Sequence, residues 1–537
     1  MFPTGSRERG WRRLEQGLDV LVIGGGITGA GILHDAALRG LAVALVERGD
    51  FGAATSSRSS KLIHGGLRYL RRMQLGITRT ACRERDLLAL FNPHLVRPMR
   101  FLYPSYAHDA TPGWQVDLGL AMYDHLTPVR HRHEKVDGEA AAALVSSLAS
   151  AGLEFGLLYD DAVADDARLV LAVVAAGALA GGVAVNYARV ETLVRERGGR
   201  VVGAVVRDLE SDAVLDVRAA VVVNATGVWC DEVRAMAGIT KPRLRPSRGS
   251  HLLFPRSRLP LEVAVTALAP DDGRPVFAVP HPEGTLVGTT DLFHTGPLDD
   301  PRPTEEEIAY LLRFARHVFP AAKLAARDVS GAFAGVRPVL GSAVEDPSAA
   351  SREEAVWVER GLVSTAGGKL TTFRATAEKV VDTVVKQLPD EKRDEVGPPQ
   401  SAAVALPWRG DPAELVRGVR TLGAHEAVAG GMVRRLGALA LPAAAVDPEG
   451  LRPLADGLDL ARAELLWHLR FGAVQHLEDL LLRRVRLGMW QPRVCLELAP
   501  RLRPVLRRAA GWSVKRWNAE LERLQRAVAN WLPPGVR

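Results

Sequence analysis

The chain has 537 residues, 47% hydrophobic and 24% charged, so it is a globular chain long enough for several domains. Its net charge of +7 suits an anionic substrate, an anionic membrane surface or nucleic acid, and does not choose among them. Three cysteines, Cys82, Cys230 and Cys495, lie far apart without a CxxC pair, which excludes a disulfide framework and a cysteine-rich zinc or iron–sulfur site and fits a reducing compartment.

Residues 1–17 are basic but carry no apolar stretch, so they do not read as a secretory signal. Residues 18–23 form a short apolar run suited to a buried parallel strand. A glycine-rich turn and a helix to Arg39 follow, with Gly40 as the stop, and then a second strand over 41–46 that ends in Glu47. Residues 80–157 read as mostly helical with proline-marked breaks. The apolar stretch 169–185 falls short of the roughly 20 residues a membrane-spanning helix needs. Gly181-Gly182 punctuates it, so we expect a buried helix, a turn and a strand, and no spanning helix. Strands are expected over 183–194, 200–208 and 214–224, a second β-rich unit over 241–345, and strand, glycine turn and helix over 361–386. A linker at 398–412 leads into helices. In the last of these, Val514, Trp517, Leu521, Leu524, Val528 and Trp531 form one apolar stripe.

The predicted fold class is α/β: a Rossmann-type dinucleotide-binding domain (14–90, 158–240 and 350–395), a β-rich substrate domain (91–157 and 241–349) and an all-helical C-terminal domain (400–537). Gly24-x-Gly26-x-x-Gly29 sits between strand and helix, where a dinucleotide fingerprint requires it. The first glycine makes the turn, the second admits the pyrophosphate and the third allows close helix–strand packing. The diphosphate then faces the helix N-terminus, and Glu47 can accept from the ribose hydroxyls.

That motif alone does not separate NAD from FAD. The segment Thr55-Ser56-Ser57, then Ser59-Ser60-Lys61-Leu62-Ile63-His64-Gly65-Gly66-Leu67-Arg68-Tyr69-Leu70, closely resembles the one that FAD-dependent glycerol-3-phosphate dehydrogenases place along the flavin. Asp165-Asp166-Ala167-Arg168-Leu169, Asn224-Ala225-Thr226-Gly227, Gly249-Ser250-His251, Gly288-Thr289-Thr290-Asp291, Gly335-Val336-Arg337-Pro338 and Gly367-Gly368-Lys369-Leu370-Thr371-Thr372 follow in that family's order. Residues 477–488 resemble its C-terminal helical domain. The resemblance, to a family within the D-amino-acid-oxidase-like flavoproteins, implies noncovalent FAD. It also implies that Gly367-Gly368-Lys369 returns to the flavin, where backbone N–H groups would stabilise charge on the reduced ring.

For a phosphomonoester, arginine forks are the best match. The matched motifs offer Arg68, Arg337 and Arg352, with Lys369 as a point charge and Tyr69 as a hydroxyl donor. His251 is the expected acceptor of the substrate hydroxyl proton, and Arg337 is a second candidate near the reacting oxygen. Arg352 fits least well, because Glu353 and Glu354 follow it. His64 reads as a flavin-contacting or structural residue. The implied reaction converts sn-glycerol 3-phosphate to dihydroxyacetone phosphate.

The resemblance implies membrane quinone as acceptor for the dehydrogenases and oxygen for the related oxidases. Quinone would require docking on the bilayer surface, with the arginine-rich helices after 460 and the terminal tryptophan stripe as candidates; packing of that stripe on its own domain or a dimer partner is the plainer reading. We expect a homodimer, cytoplasmic or peripheral on the inner face of the cell membrane, and no nucleic-acid partner. A flavin oxidase of an amine or another hydroxy acid is the alternative enzyme, and a non-catalytic nucleotide-binding module the alternative of another class.

Overall fold

The computed structural model describes residue 2 and residues 5–66, 74–109, 111–127, 132–341 and 354–533. Strand Leu18–Ile23 lies between Val43–Glu47 and Val214–Asn224, all parallel, with Val22 opposite Leu45 and Val223. Its residues alternate between two cores. Val20 and Val22 pack beneath helices Ile27–Leu38, Asp166–Leu179 and Phe373–Val385, while Leu21 and Ile23 pack against an antiparallel meander of Ala188–Arg195 and Val201–Asp208. A run apolar at every position is what a sheet covered on both faces demands.

The stretch 169–185 becomes the buried helix Asp166–Leu179 and the strand Val183–Asn186, and among the described residues no helix is long and apolar enough to cross a membrane. The single strand expected over 183–194 is broken at Tyr187, whose φ of +54° starts a new strand at Ala188.

The second sheet holds ten strands among the described residues. At its functional end Ser247–Pro255 runs antiparallel to Gly284–Gly288 on one side and Gly331–Arg337 on the other. Residues 80–157 are not mostly helical, which corrects the expectation. Between helices Leu75–Phe91 and Gly113–Leu126 runs the eleven-residue strand Val96–Tyr106, paired along its length with Leu153–Ala164. Pro98 and Pro104 read as breaks, yet both lie outside the short segment, Phe101 and Leu102, that pairs on the strand's other side. There a missing N–H costs no ladder bond. Leu153–Ala164 also crosses the domain limit expected at 157/158, so the β-rich unit extends to about residue 164.

The C-terminal helices join the rest of the chain through buried ion pairs. Asp50 receives hydrogen bonds from Arg483 and Arg484, and Asp166 from Lys61 and Arg486. The terminal stripe packs inward: Trp517, Leu524, Val528 and Trp531 are buried with Leu253 and Phe333 of the substrate sheet. Arg483, Arg484, Arg486 and most of the stripe are therefore internal, whereas Arg501, Arg503 and Arg508 and the stripe's first residue, Val514, are exposed.

Candidate active site

The dinucleotide turn is shaped by contacts that only glycine permits. Gly24 has φ +110°, and a Cβ there would sit 2.7 Å from the Ala225 carbonyl oxygen. A Cβ on Gly29 would lie 1.9 Å from the Gly24 carbonyl oxygen, so the helix can press onto the turn only at glycine. Gly26, the helix N-cap, supplies no side chain; Ile27 N–H instead donates to Ser56 Oγ at 3.0 Å. Glu47 is locked at the tip of its strand, with Gly25 N–H donating to Oε2 (2.6 Å) and Gly49 N–H to Oε1 (2.7 Å). Burial raises its carboxyl above the ordinary range, and the two N–H bonds oppose that and favour the charged acceptor.

From this turn a cavity of about 1730 Å³ extends to the substrate sheet. Gly24, Gly26, Glu47, Thr55, Ser56 and Gly227 line its nucleotide end. Leu62, His64 and the turn Gly367-Gly368-Lys369-Leu370-Thr371 line its middle, where both turn glycines have positive φ. Thr371 Oγ1 accepts from His64 N–H (3.1 Å) and so holds the two segments together. The cavity's size, its helix start with a glycine at the N-cap and its glycine contacts fit a dinucleotide carrying a ring system.

At the far end, the period-two alternation of Ser247–Pro255 puts Gly249 and His251 on one face. Glycines make the room. A Cβ on Gly249 would lie 2.1 Å from Arg337 Nη2, one on Gly288 2.2 Å from His251 Cδ2, and one on Gly335 2.3 Å from the Arg58 carbonyl oxygen. Arg337 donates through Nη1 to Asp291 Oδ1 (3.2 Å) and through Nη2 to Thr289 Oγ1 (3.0 Å). Asp291 also pairs with Arg274 (3.1 Å) and accepts from Ser247 Oγ (3.0 Å). One buried carboxylate thus positions two guanidinium groups at the cavity wall. His251 stacks on Phe333 at 4.8 Å, with Nε2 2.8 Å from Ser60 Oγ. Burial, then Arg337 and Lys61, holds its pKa well below the ordinary value, so the ring is neutral.

The cavity therefore brings together His251, Arg337, Lys369 and most of the expected cofactor residues. Three expected cofactor residues stand behind its wall. Lys61 turns away to Asp166 (2.7 Å), and burial pushes its ammonium down to about 8; Gly65 packs against Tyr123 and Cys82; Ser57 is buried, its hydroxyl directed at the Ala53 carbonyl. Gly29 acts through packing alone. Arg68, Tyr69 and Arg352 lie outside the described residues. Arg274, Asp291 and Ser60 line the cavity without having been singled out. Asp291 ends a motif that was recognised but given no role, and Arg274 follows the Asp271-Asp272-Gly273 turn, a signal for a loop but not for a site.

Residues 19–383 match the family model described as FAD dependent oxidoreductase, and the chain belongs to that family of flavoenzymes. Residues 406–517 match the C-terminal domain of alpha-glycerophosphate oxidase. Within the family the chain is a member of the FAD-dependent glycerol-3-phosphate dehydrogenases. It is 37% identical to glycerol-3-phosphate dehydrogenase 2 of Mycobacterium tuberculosis over 97% of this chain and 89% of that one. It is also 37% identical to the aerobic glycerol-3-phosphate dehydrogenase of Bacillus subtilis, over 71% of this chain and 69% of the other. The crystal structure of the glycerol-3-phosphate dehydrogenase from Bacillus halodurans complexed with FAD superposes with a TM-score of 0.83 at 27% identity, covering all of both chains.

Proposed function

We propose that the chain oxidises sn-glycerol 3-phosphate to dihydroxyacetone phosphate using noncovalent FAD, and that its electrons pass to membrane quinone. The observation that carries this reading is the single cavity joining the dinucleotide turn to the Arg337–Asp291–Arg274 cluster opposite His251. Bound FAD supplies the hydride acceptor. Arg337 and Arg274, held from behind by Asp291, turn charged N–H donors toward a phosphate, and Lys369 adds a point charge. His251, neutral and fixed by Phe333, takes the substrate hydroxyl proton at Nε2 with Ser60 Oγ as the intervening hydroxyl. Arg337 stabilises the oxygen as that proton leaves.

Quinone as acceptor is supported by the cavity's rim. Helix Gly113–Leu126 lines the cavity with Gln115, Gly119 and Met122, yet Trp114 and Leu118 are 64% and 57% exposed. Such a rim suits shallow docking on the inner face of the cell membrane. The second reading, an oxidase using oxygen, is favoured by the C-terminal match to a glycerophosphate oxidase domain.

Anaerobic titration of the yellow holoenzyme with sn-glycerol 3-phosphate, with glycerol as control, tests the substrate. Bleaching of the flavin band by the phosphate ester alone is expected, and a band that stays oxidised overturns the assignment. Air and a soluble quinone analogue are then compared as reoxidants. Faster reoxidation by air, with stoichiometric hydrogen peroxide, replaces quinone with oxygen.

A further inference from the structure

A second, small pocket of about 30 Å³ lies where the three domains meet, away from the flavin cavity. Arg168 comes from the cofactor domain, Arg97 and His281 from the substrate sheet, and Arg434 from the C-terminal helices. Its volume admits one or two water-sized species and no polyatomic cofactor.

The charges around it do not balance. The connected cations are Lys61, Arg97, Arg168, Arg434, Arg435 and Arg486. Against them stand five carboxylates. Asp165 and Asp166 face Lys61, Arg168 and Arg486; Glu283 and Asp459 face Arg434; and Glu464 faces Arg435. One positive charge is left over. Arg97 makes no ion pair with any described carboxylate; burial and then the like charge of Arg434 lower its pKa, opposed by Glu283 and Asp165, two carboxylates that also line the pocket.

Donors are also left over. Arg168 Nε and His281 Nε2 are buried with no hydrogen-bond partner, although His281 is only 7% exposed and its ring is fixed by packing 5.0 Å from that of Trp490. Burial holds His281 at a pKa of about 4, so it is neutral, and its free nitrogen can carry a hydrogen. A surplus charge at a half-buried position and buried donors without acceptors are both unfavourable, the more so where the donor is charged.

We propose that this pocket binds one small monovalent anion of halide size, chloride in the cell, which neutralises the surplus arginine charge and accepts from Arg168 Nε and His281 Nε2. It is a structural site that pins the three domains, separate from catalysis.

The test uses sodium bromide. In crystals of the holoenzyme grown with bromide in place of chloride, data at the bromine edge should show an anomalous peak between Arg168 and His281. In solution, the melting temperature of the holoenzyme should rise saturably with bromide above its value in sodium gluconate at equal ionic strength. Arg97→Gln removes the surplus charge at a half-buried position and should abolish that rise while flavin reduction by substrate is retained. An ordered pocket without anomalous signal overturns the proposal. So does an equal rise in gluconate, or a bromide response that survives in Arg97→Gln.

Discussion

Gly249→Ala tests whether Arg337 is held where substrate recognition needs it. Gly249 lies in a regular strand with ordinary φ, so alanine brings no backbone strain. Its new methyl would sit 2.1 Å from Arg337 Nη2, 2.5 Å from the Thr289 Oγ1 that this nitrogen bonds, and 2.6 Å from Arg337 Cζ. To reach ordinary contact near 3.4 Å the guanidinium must retreat by about 1.3 Å, and the arginine can yield because it is the end of a flexible side chain. That retreat breaks the 3.2 Å bond to Asp291 or the 3.0 Å bond to Thr289 and pulls the fork off the cavity wall. One charged hydrogen bond to substrate is worth about 1.5–3 kcal/mol, so kcat/KM for sn-glycerol 3-phosphate should fall roughly 10- to 100-fold. Anaerobic stopped-flow reduction of the flavin across substrate concentrations separates the affinity from the rate, with flavin content and melting temperature as controls. A variant with normal flavin content, normal substrate affinity and normal reduction rate would refute the role of Arg337 in this site.

Three further outcomes are expected. Gly29→Ala opposes two backbone segments, with its Cβ 1.9 Å from the Gly24 carbonyl oxygen, so the helix must lift from the turn; the purified variant should lose most of its flavin absorbance, and full flavin occupancy would contradict the packing role. Asp50→Asn leaves Arg484 buried without a counter-charge and should cost about 3–5 kcal/mol, read as a lower denaturation midpoint, whereas Asp50→Asn with Arg484→Met should recover part of the loss. His476 bridges Glu210 and Glu520; burial opposes its charge, but these hydrogen bonds carry its pKa up to about 9. Because the folded value lies above the unfolded one near 6.5, its contribution is complete below about pH 6.5 and is lost as pH rises through 9. The drop in melting temperature between pH 7 and 10 should therefore be smaller in His476→Gln than in the native chain.

The cofactor half of the molecule was legible because its chemistry is local. One turn, one helix start and one acid at the end of the next strand lie within thirty residues, and each constrains the backbone in a way that residue type reveals. The strand Val96–Tyr106 was missed because its prolines carry an exception that only the partner strands define. Whether a missing N–H matters depends on which neighbour is there to accept it. Arg274 escaped for a related reason. Its role comes from sharing Asp291 with Arg337, a pairing across sixty residues of sequence that no spacing rule contains.

The arginines after residue 460 show why charge counted along a sequence misleads about surfaces. They suggested a basic face for an anionic membrane, yet three of them, Arg483, Arg484 and Arg486, are buried and hold the helical domain to the cofactor domain through Asp50 and Asp166, while Arg501, Arg503 and Arg508 are exposed. A buried ion pair adds little net stability, but it is strongly selective for geometry, since either partner alone is costly. Strand pairing sets Phe333 opposite His251, and those ion pairs fix where the helical domain sits, so that Trp531 packs against the Phe333 ring that stacks on His251. The domain without a cofactor motif is thereby tied to the residue proposed to take the proton. Trp531→Ala should accordingly slow flavin reduction at saturating substrate more than it weakens substrate affinity, and the opposite split in stopped-flow data would break this connection.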